Sequence, residues 1–143
     1  ISDCLVGSEM CIRDRANRVQ PNKRPMSSMT PTIIFKDKNL FALTGSPGGT
    51  SIINYVTKSV LGLIDWGLDP FEVTELPHYM NRGNYTELEK NTVLENLATE
   101  LESLGHPIKI QNKRSGLHIA LKKGNGYIGS ADPRREGLVI QVN

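Results

Sequence analysis

At 143 residues the chain has room for one domain with a real core, and it could equally be a piece of something larger. Its 17 basic and 15 acidic residues nearly cancel, so net charge gives no nucleic-acid footprint. No apolar run approaches the roughly 20 residues that a membrane helix needs, and the opening does not read as a secretory leader.

Cys4 and Cys11 are the only cysteines, and their separation makes neither a zinc spacing nor a disulfide framework. The opening they lie in, with "EMCIRDR", reads as a translated transposase-library adapter. Ile1 to Arg15 are therefore expected to be foreign to the natural protein and disordered, with the domain proper over residues 16–143. The basic residues Arg13, Arg15, Arg18, Lys23 and Arg24 read as a solvated polar segment.

From Ala16 to Pro31, three prolines and the lack of any hydrophobic period predict an extended approach segment. "TIIFKDKNLFALTG" then gives two β-rich runs around Lys36-Asp37-Lys38-Asn39, a hairpin. After "GSPGG", the apolar positions Ile52, Ile53, Val56, Val60, Leu61 and Ile64 recur at helical spacing. Thr50 or Ser51 stands where a cap would, Gly67 stands at the end, and Asn54, Lys58 and Asp65 fit a partly exposed face. A short helix is expected from about Asp69 to Leu76, stopped by Pro77. "HYMNRGN" reads as a loop and "YTELE" as a brief extended piece. A third helix over Asn91 to Leu104 would place Val93, Leu94, Leu97, Leu101 and Leu104 on one stripe. Two or three strands, "PIKIQ", "LHIALKK" and "GYIGSA", finish the chain, and the order of elements suggests a layered α+β or α/β/α arrangement with antiparallel pairing.

The turn "LTGSPGG" leads from a strand into a helix N-terminus, where unpaired amides and the positive end of the helix dipole gather. Pro47 fixes φ, and Gly48 and Gly49 let the backbone approach a ligand. The anion could be a phosphate or the oxygen of a tetrahedral acyl-transfer intermediate, and a plain structural turn is the alternative. The lysine of a P-loop is missing, since Thr50 follows Gly49 directly. In "RPMSSMTP", Ser27 and Ser28 offer two hydroxyls suited to a carboxylate, or else cap local backbone as loop serines do. His78, His106 and His118 are far apart in sequence with no paired acidic pattern, so they read as surface or loop residues and no metal site is expected. Trp66 reads as core at a helix end.

Taken in order, "NKRPMSSMTPTIIF", "LTGSPGG", "IDWGLD" and "GSADPRREG" resemble the small subunit of the γ-glutamyltranspeptidases (γ-glutamyltransferase, glutathione hydrolase), from about Ala16 to Val139. The resemblance implies part of an N-terminal-nucleophile (Ntn) hydrolase fold, a four-layer α/β/β/α sandwich. It also implies a precursor that cleaves itself, exposing a threonine whose own amine serves as base. The γ-glutamyl group of glutathione or a related compound would pass through a threonine acyl-enzyme to water or to an amino acid or peptide. On the same resemblance, Ser27 and Ser28 hold the α-carboxylate of the glutamyl group, and the Gly48 and Gly49 amides form the oxyanion hole. Asp132 and Arg134 would serve in packing or a salt bridge. No cofactor is implied. The partner is the large subunit of the same precursor, and relatives are commonly periplasmic or secreted.

Two departures qualify the resemblance. The family's nucleophilic threonine lies upstream of the Asn-Lys-Arg-Pro segment, and neither Thr30 nor Thr44 has its context, so this piece alone is expected to be inactive. "PHYMNRGNYTELE" also differs from versions of the region that carry paired histidines, which leaves acceptor preference open. The alternatives are a related acylase acting on glutaryl or other side chains, and a non-catalytic anion-binding module.

Overall fold

The computed structural model describes residues 18–140, so the expectation about Ile1 to Arg15 lies outside the described residues. The chain runs β1 (Thr32–Lys36), β2 (Asn39–Gly45), α1 (Ile52–Ile64), α2 (Pro70–Glu75), β3 (Tyr79–Asn81), β4 (Thr86–Glu89), α3 (Ala98–Ser103), β5 (Ile108–Gln111), β6 (His118–Lys123) and β7 (Gly126–Ala131). Single 3-10 turns, Gly49–Ser51 and Val93–Leu97, lead into α1 and α3.

β1, β2, β6 and β7 form a four-stranded antiparallel sheet in that order. The hairpin expected around Asp37-Lys38 is present. Both residues have positive φ, 51° and 66°, and Lys36 pairs with Asn39 across a two-residue turn whose twist matches the strands. On one face α1 and α2 cover the sheet. Ala42, Leu63, Val73, Leu117 and Ile119 are the buried core there, with Ile34, Phe41, Leu68 and Leu121 packed against them. Strand alternation sends Ile33, Leu43 and Ala120 to the opposite face, where they sit in register. These three and residues Leu138–Ile140 line a shallow apolar hollow of about 750 Å³.

A second sheet, in the order β3, β4, β5, was only partly expected. Its first strand falls in the segment read as a loop, because three residues are too short to display alternation, although Met80 is buried between exposed Tyr79 and Asn81. β4 and β5 pair in parallel, a departure from the antiparallel expectation. The crossover over residues 90–107 holds a helix, as a parallel connection requires.

α1 has its expected length but a shifted buried stripe. Ile52, Tyr55, Val56, Ser59, Gly62 and Leu63 face inward, whereas Ile53, Leu61 and Ile64 are exposed. Lys58, expected on a partly exposed face, is buried because Nζ donates to the carbonyls of Leu76 and Pro77 at the end of α2. α2 starts with a capping box: Asp69 Oδ1 accepts from the Glu72 amide and Glu72 Oε2 from the Asp69 amide, both at 2.9 Å. The third helix begins later than expected, since Asn91 has φ 60° and Thr92 caps the 3-10 turn. Its apolar stripe is mostly solvent-facing: Val93, Leu97 and Leu104 are exposed. Trp66 is 52% exposed and so is not core, because it continues the solvent-facing end of α1, where Ile64 and Asp65 are exposed as well.

Candidate functional site

The turn Pro47-Gly48-Gly49 sits between β2 and α1 and opens on a cleft of about 500 Å³. Gly48 has φ 146° and lies against Tyr55, where a Cβ would come within 2.7 Å of the ring carbon Cε2. Gly49 has φ 58°, with open space where a Cβ would stand. Only glycine meets both demands at 48, and the backbone geometry favours it at 49. The turn's own bonds use the carbonyls: Ser51 N donates to Gly48 O at 3.2 Å, and Ile52 N donates to Gly49 O. The Gly48 and Gly49 amides have no acceptor among the described residues.

Thr50 and Ser51 do not cap α1 through their side chains. Their hydroxyls instead accept from Arg82: Nη1 donates to Thr50 Oγ1, and Nη2 donates to Ser51 Oγ at 3.0 Å. Arg82 Nε lies 3.3 Å from Glu87 Oε1, and Lys113 Nζ bonds Glu87 Oε2. Burial alone would push the Glu87 carboxyl up, but Lys113 and Arg82 outweigh it and hold it below the usual carboxylate range. Arg114, Arg135, Gln111 and Asn112 complete this side of the cleft. Four cationic residues thus line the cleft with one carboxylate, and both this charge balance and the free amides suit an anion.

Behind the turn lies a buried polar network. The Tyr55 ring packs against His78 at a tilt of 51°, with centroids 4.3 Å apart. His78 Nε2 bonds Ser115 Oγ at 2.7 Å and lies 3.8 Å from Asp132 Oδ2. Burial disfavours the charged imidazole and lowers its pKa, in spite of Asp132. Serine and aspartate both approach the same ring nitrogen and all three residues are buried, so this is no nucleophile, base and orienter arrangement. Asp132 is desolvated, which alone would raise its pKa, but His78 and Ser115 beside it and the bonds from the Arg134 and Leu117 amides hold it far below the usual range. Arg134 bridges Asp132 and Glu89 and donates to the carbonyls of Thr74, Glu75 and Leu76. The salt-bridge role expected for Asp132 and Arg134 is therefore present. The surface reading of His78 is corrected, since it is 1% exposed and its amide also donates to Glu89 Oε2 at 2.7 Å.

Of the four residues singled out in the sequence, Gly48 and Gly49 line the cleft and Ser27 and Ser28 do not. Ser27 Oγ accepts from the Met29 amide at 3.1 Å, a local capping bond, and Ser28 is buried. The sequence reading missed Arg82, Glu87, Lys113, Arg114 and Arg135, which come from four separate segments. Among the described residues, no three histidine, cysteine, aspartate or glutamate side chains are grouped to hold a metal ion. No helix among them is long and apolar enough to cross a membrane.

The γ-glutamyltranspeptidase family model matches residues 6–142. The chain is 37% identical over 134 residues to a glutathione hydrolase proenzyme of Bacillus subtilis (strain 168), covering 90% of this chain and 22% of that protein. It is 38% identical over 122 residues to the corresponding Escherichia coli (strain K12) proenzyme, covering 83% of this chain and 21% of that one. Among solved structures, a threonine-to-alanine mutant of Helicobacter pylori γ-glutamyltranspeptidase superposes with a TM-score of 0.74 at 30% identity, covering 82% of this chain and 66% of that chain. The fold is thus α+β of the Ntn-hydrolase class. The chain belongs to the γ-glutamyltranspeptidase family, and it spans about a fifth of the length of the two curated relatives.

Proposed function

We propose that this chain is the C-terminal part of the small subunit of an enzyme that transfers γ-glutamyl groups, from glutathione and related compounds, to water or to amino acids and peptides. The Gly48 and Gly49 amides would hold the oxygen of the tetrahedral intermediate, each contributing on the order of 3 kcal/mol to transition-state stabilisation. Ser27 and Ser28 would hold the α-carboxylate of the glutamyl head. The attacking threonine would come from upstream in the complete protein, its own amine taking the hydroxyl proton and later returning it to the leaving amine. The partner is the large subunit released from the same precursor, and the chain by itself is expected to be inactive.

The observation that carries this reading is the turn at Gly48. Two amides without acceptors among the described residues open on a cationic cleft, at a position where Tyr55 leaves no space for a side chain. The test is expression of the complete gene. The product is expected to split into two subunits and to release p-nitroaniline from γ-glutamyl-p-nitroanilide. An intact polypeptide, or a processed one inert toward the anilide, counts against the reading.

A further inference from the structure

The cleft beside the glycine turn has a cationic wall with two different kinds of residue in it. Arg82 and Lys113 are committed: Arg82 to Thr50, Ser51 and Glu87, and Lys113 to Glu87. Arg114 and Arg135 are not. Arg135 Nε donates to the Arg114 carbonyl at 2.8 Å, which locates its guanidinium. Its two Nη groups, and the whole Arg114 guanidinium, have no acceptor among the described residues. Both residues, exposed to solvent, line the cavity that Gly48 and Gly49 line.

We propose that Arg114 and Arg135 form a carboxylate site for the leaving half of the substrate and for the acceptor that replaces it. The ligand class is an amino acid or short peptide with a free terminal carboxylate. This rests on the acyl-transfer reading above. If the Gly48 and Gly49 amides take the reacting carbonyl, the remainder of a γ-glutamyl peptide must leave that point in one direction, and two residues reach about 7 Å. The cavity's volume of about 500 Å³ suits a small ligand of that size. Guanidinium groups bind carboxylates through paired, charge-assisted N–H bonds, and two of them with open donors would select a charged terminus over an amide. Glu87, the one carboxylate lining the cleft, is already neutralised by Lys113 and Arg82, so it does not oppose an incoming anion.

The experiment compares kcat/KM of the complete, self-processed protein on γ-glutamylcysteinylglycine and on its C-terminal amide, which differ only in the terminal charge. The wild-type protein is expected to prefer the acid by about tenfold or more. The double variant R114Q/R135Q is expected to bring the acid-to-amide ratio to about one, and R114K/R135K to keep part of the preference. A ratio that the glutamine variant leaves unchanged overturns the proposal, as does a wild-type protein that turns over both compounds equally. If the double variant does not self-process, the wild-type ratio decides the matter. A wild-type protein that turns over neither compound ends the acyl-transfer reading and this inference together, whereas turnover without preference ends only the inference.

Discussion

The Tyr55 ring closes directly over Gly48, leaving 2.7 Å between its Cε2 and the point where a Cβ would stand. Gly48→Ala therefore meets two costs, a φ of 146° and a clash with an aromatic ring held in place by His78. Gly49→Ala meets only the left-handed φ of 58°. The first substitution is expected to lower stability by about 2–3 kcal/mol and the second by about 1 kcal/mol. Denaturant unfolding of the complete protein gives the order, and an equal or reversed order contradicts the packing described.

Glu87 is the acceptor for a buried lysine. Glu87→Gln leaves Lys113 without its counter-charge and is expected to cost about 3 kcal/mol, in the range seen when one partner of a buried ion pair is removed. The pair E87Q/K113M is expected to recover most of that loss. A double-mutant cycle measures the coupling, and additive effects would show that the two groups do not depend on each other.

His78, Lys58 and Asp132 each contribute to the pH dependence of stability. His78 is buried neutral with a lowered pKa, so the unfolded chain binds more protons than the folded one as pH falls below about 6.5. Lys58 is pushed down to about 7 chiefly by burial, so stability rises with pH between about 7 and the ordinary lysine value of about 10.4. Asp132, held low, contributes stability that is present above about 3.9 and lost as pH falls further. Lys58→Met is expected to flatten the rise above pH 7. The check is the difference in unfolding free energy between variant and wild type at pH 7 and pH 9; the same difference at both pH values contradicts it.

The turn at Asp37-Lys38 places two non-glycine residues at positive φ. Replacing them with Asn-Gly, the pair that such a turn prefers, is expected to raise stability by about 0.5–1 kcal/mol. A thermal melt of the variant beside the wild type measures this, and a lower midpoint sinks it.

Made alone, the chain is expected to be marginally stable and to aggregate, because Ile33, Phe35 and Tyr127 on the large sheet are more than half exposed. Size-exclusion chromatography of the isolated piece tests this. A monomer with a sharp cooperative melt stands against it.

Local chemistry made much of this fold legible in the sequence. The β1–β2 hairpin, the length of α1, the short helix from Asp69 and the closing strands follow from turn residues, periodicity and helix stops that act over a few positions. The errors share one cause: burial decided by distant partners. Nothing local in "NYVTKSV" tells that Lys58 finds the carbonyls at the end of α2, or that Ser59 Oγ meets Thr44 Oγ1 at 2.9 Å. His78 reads as a loop histidine until Ser115 and Asp132 are brought to it from 37 and more residues away. At the cleft, the glycines announce themselves through their spacing. The arginines and the glutamate do not, since isolated charges in four segments carry no pattern until β3, β4 and the residues after β5 are assembled.

Arg134 has a consequence for the order in which the molecule can be made. The carbonyls of Thr74, Glu75 and Leu76 and the carboxylate of Glu89 are synthesised some 45 to 60 positions before the side chain that satisfies them. During translation these acceptors must stay hydrated while the ribosome completes the later strands. The tie between the end of α2 and Glu89 at the end of β4 therefore waits for Arg134 to emerge, and a ribosome stalled before residue 134 would present a nascent domain whose interior is still wet.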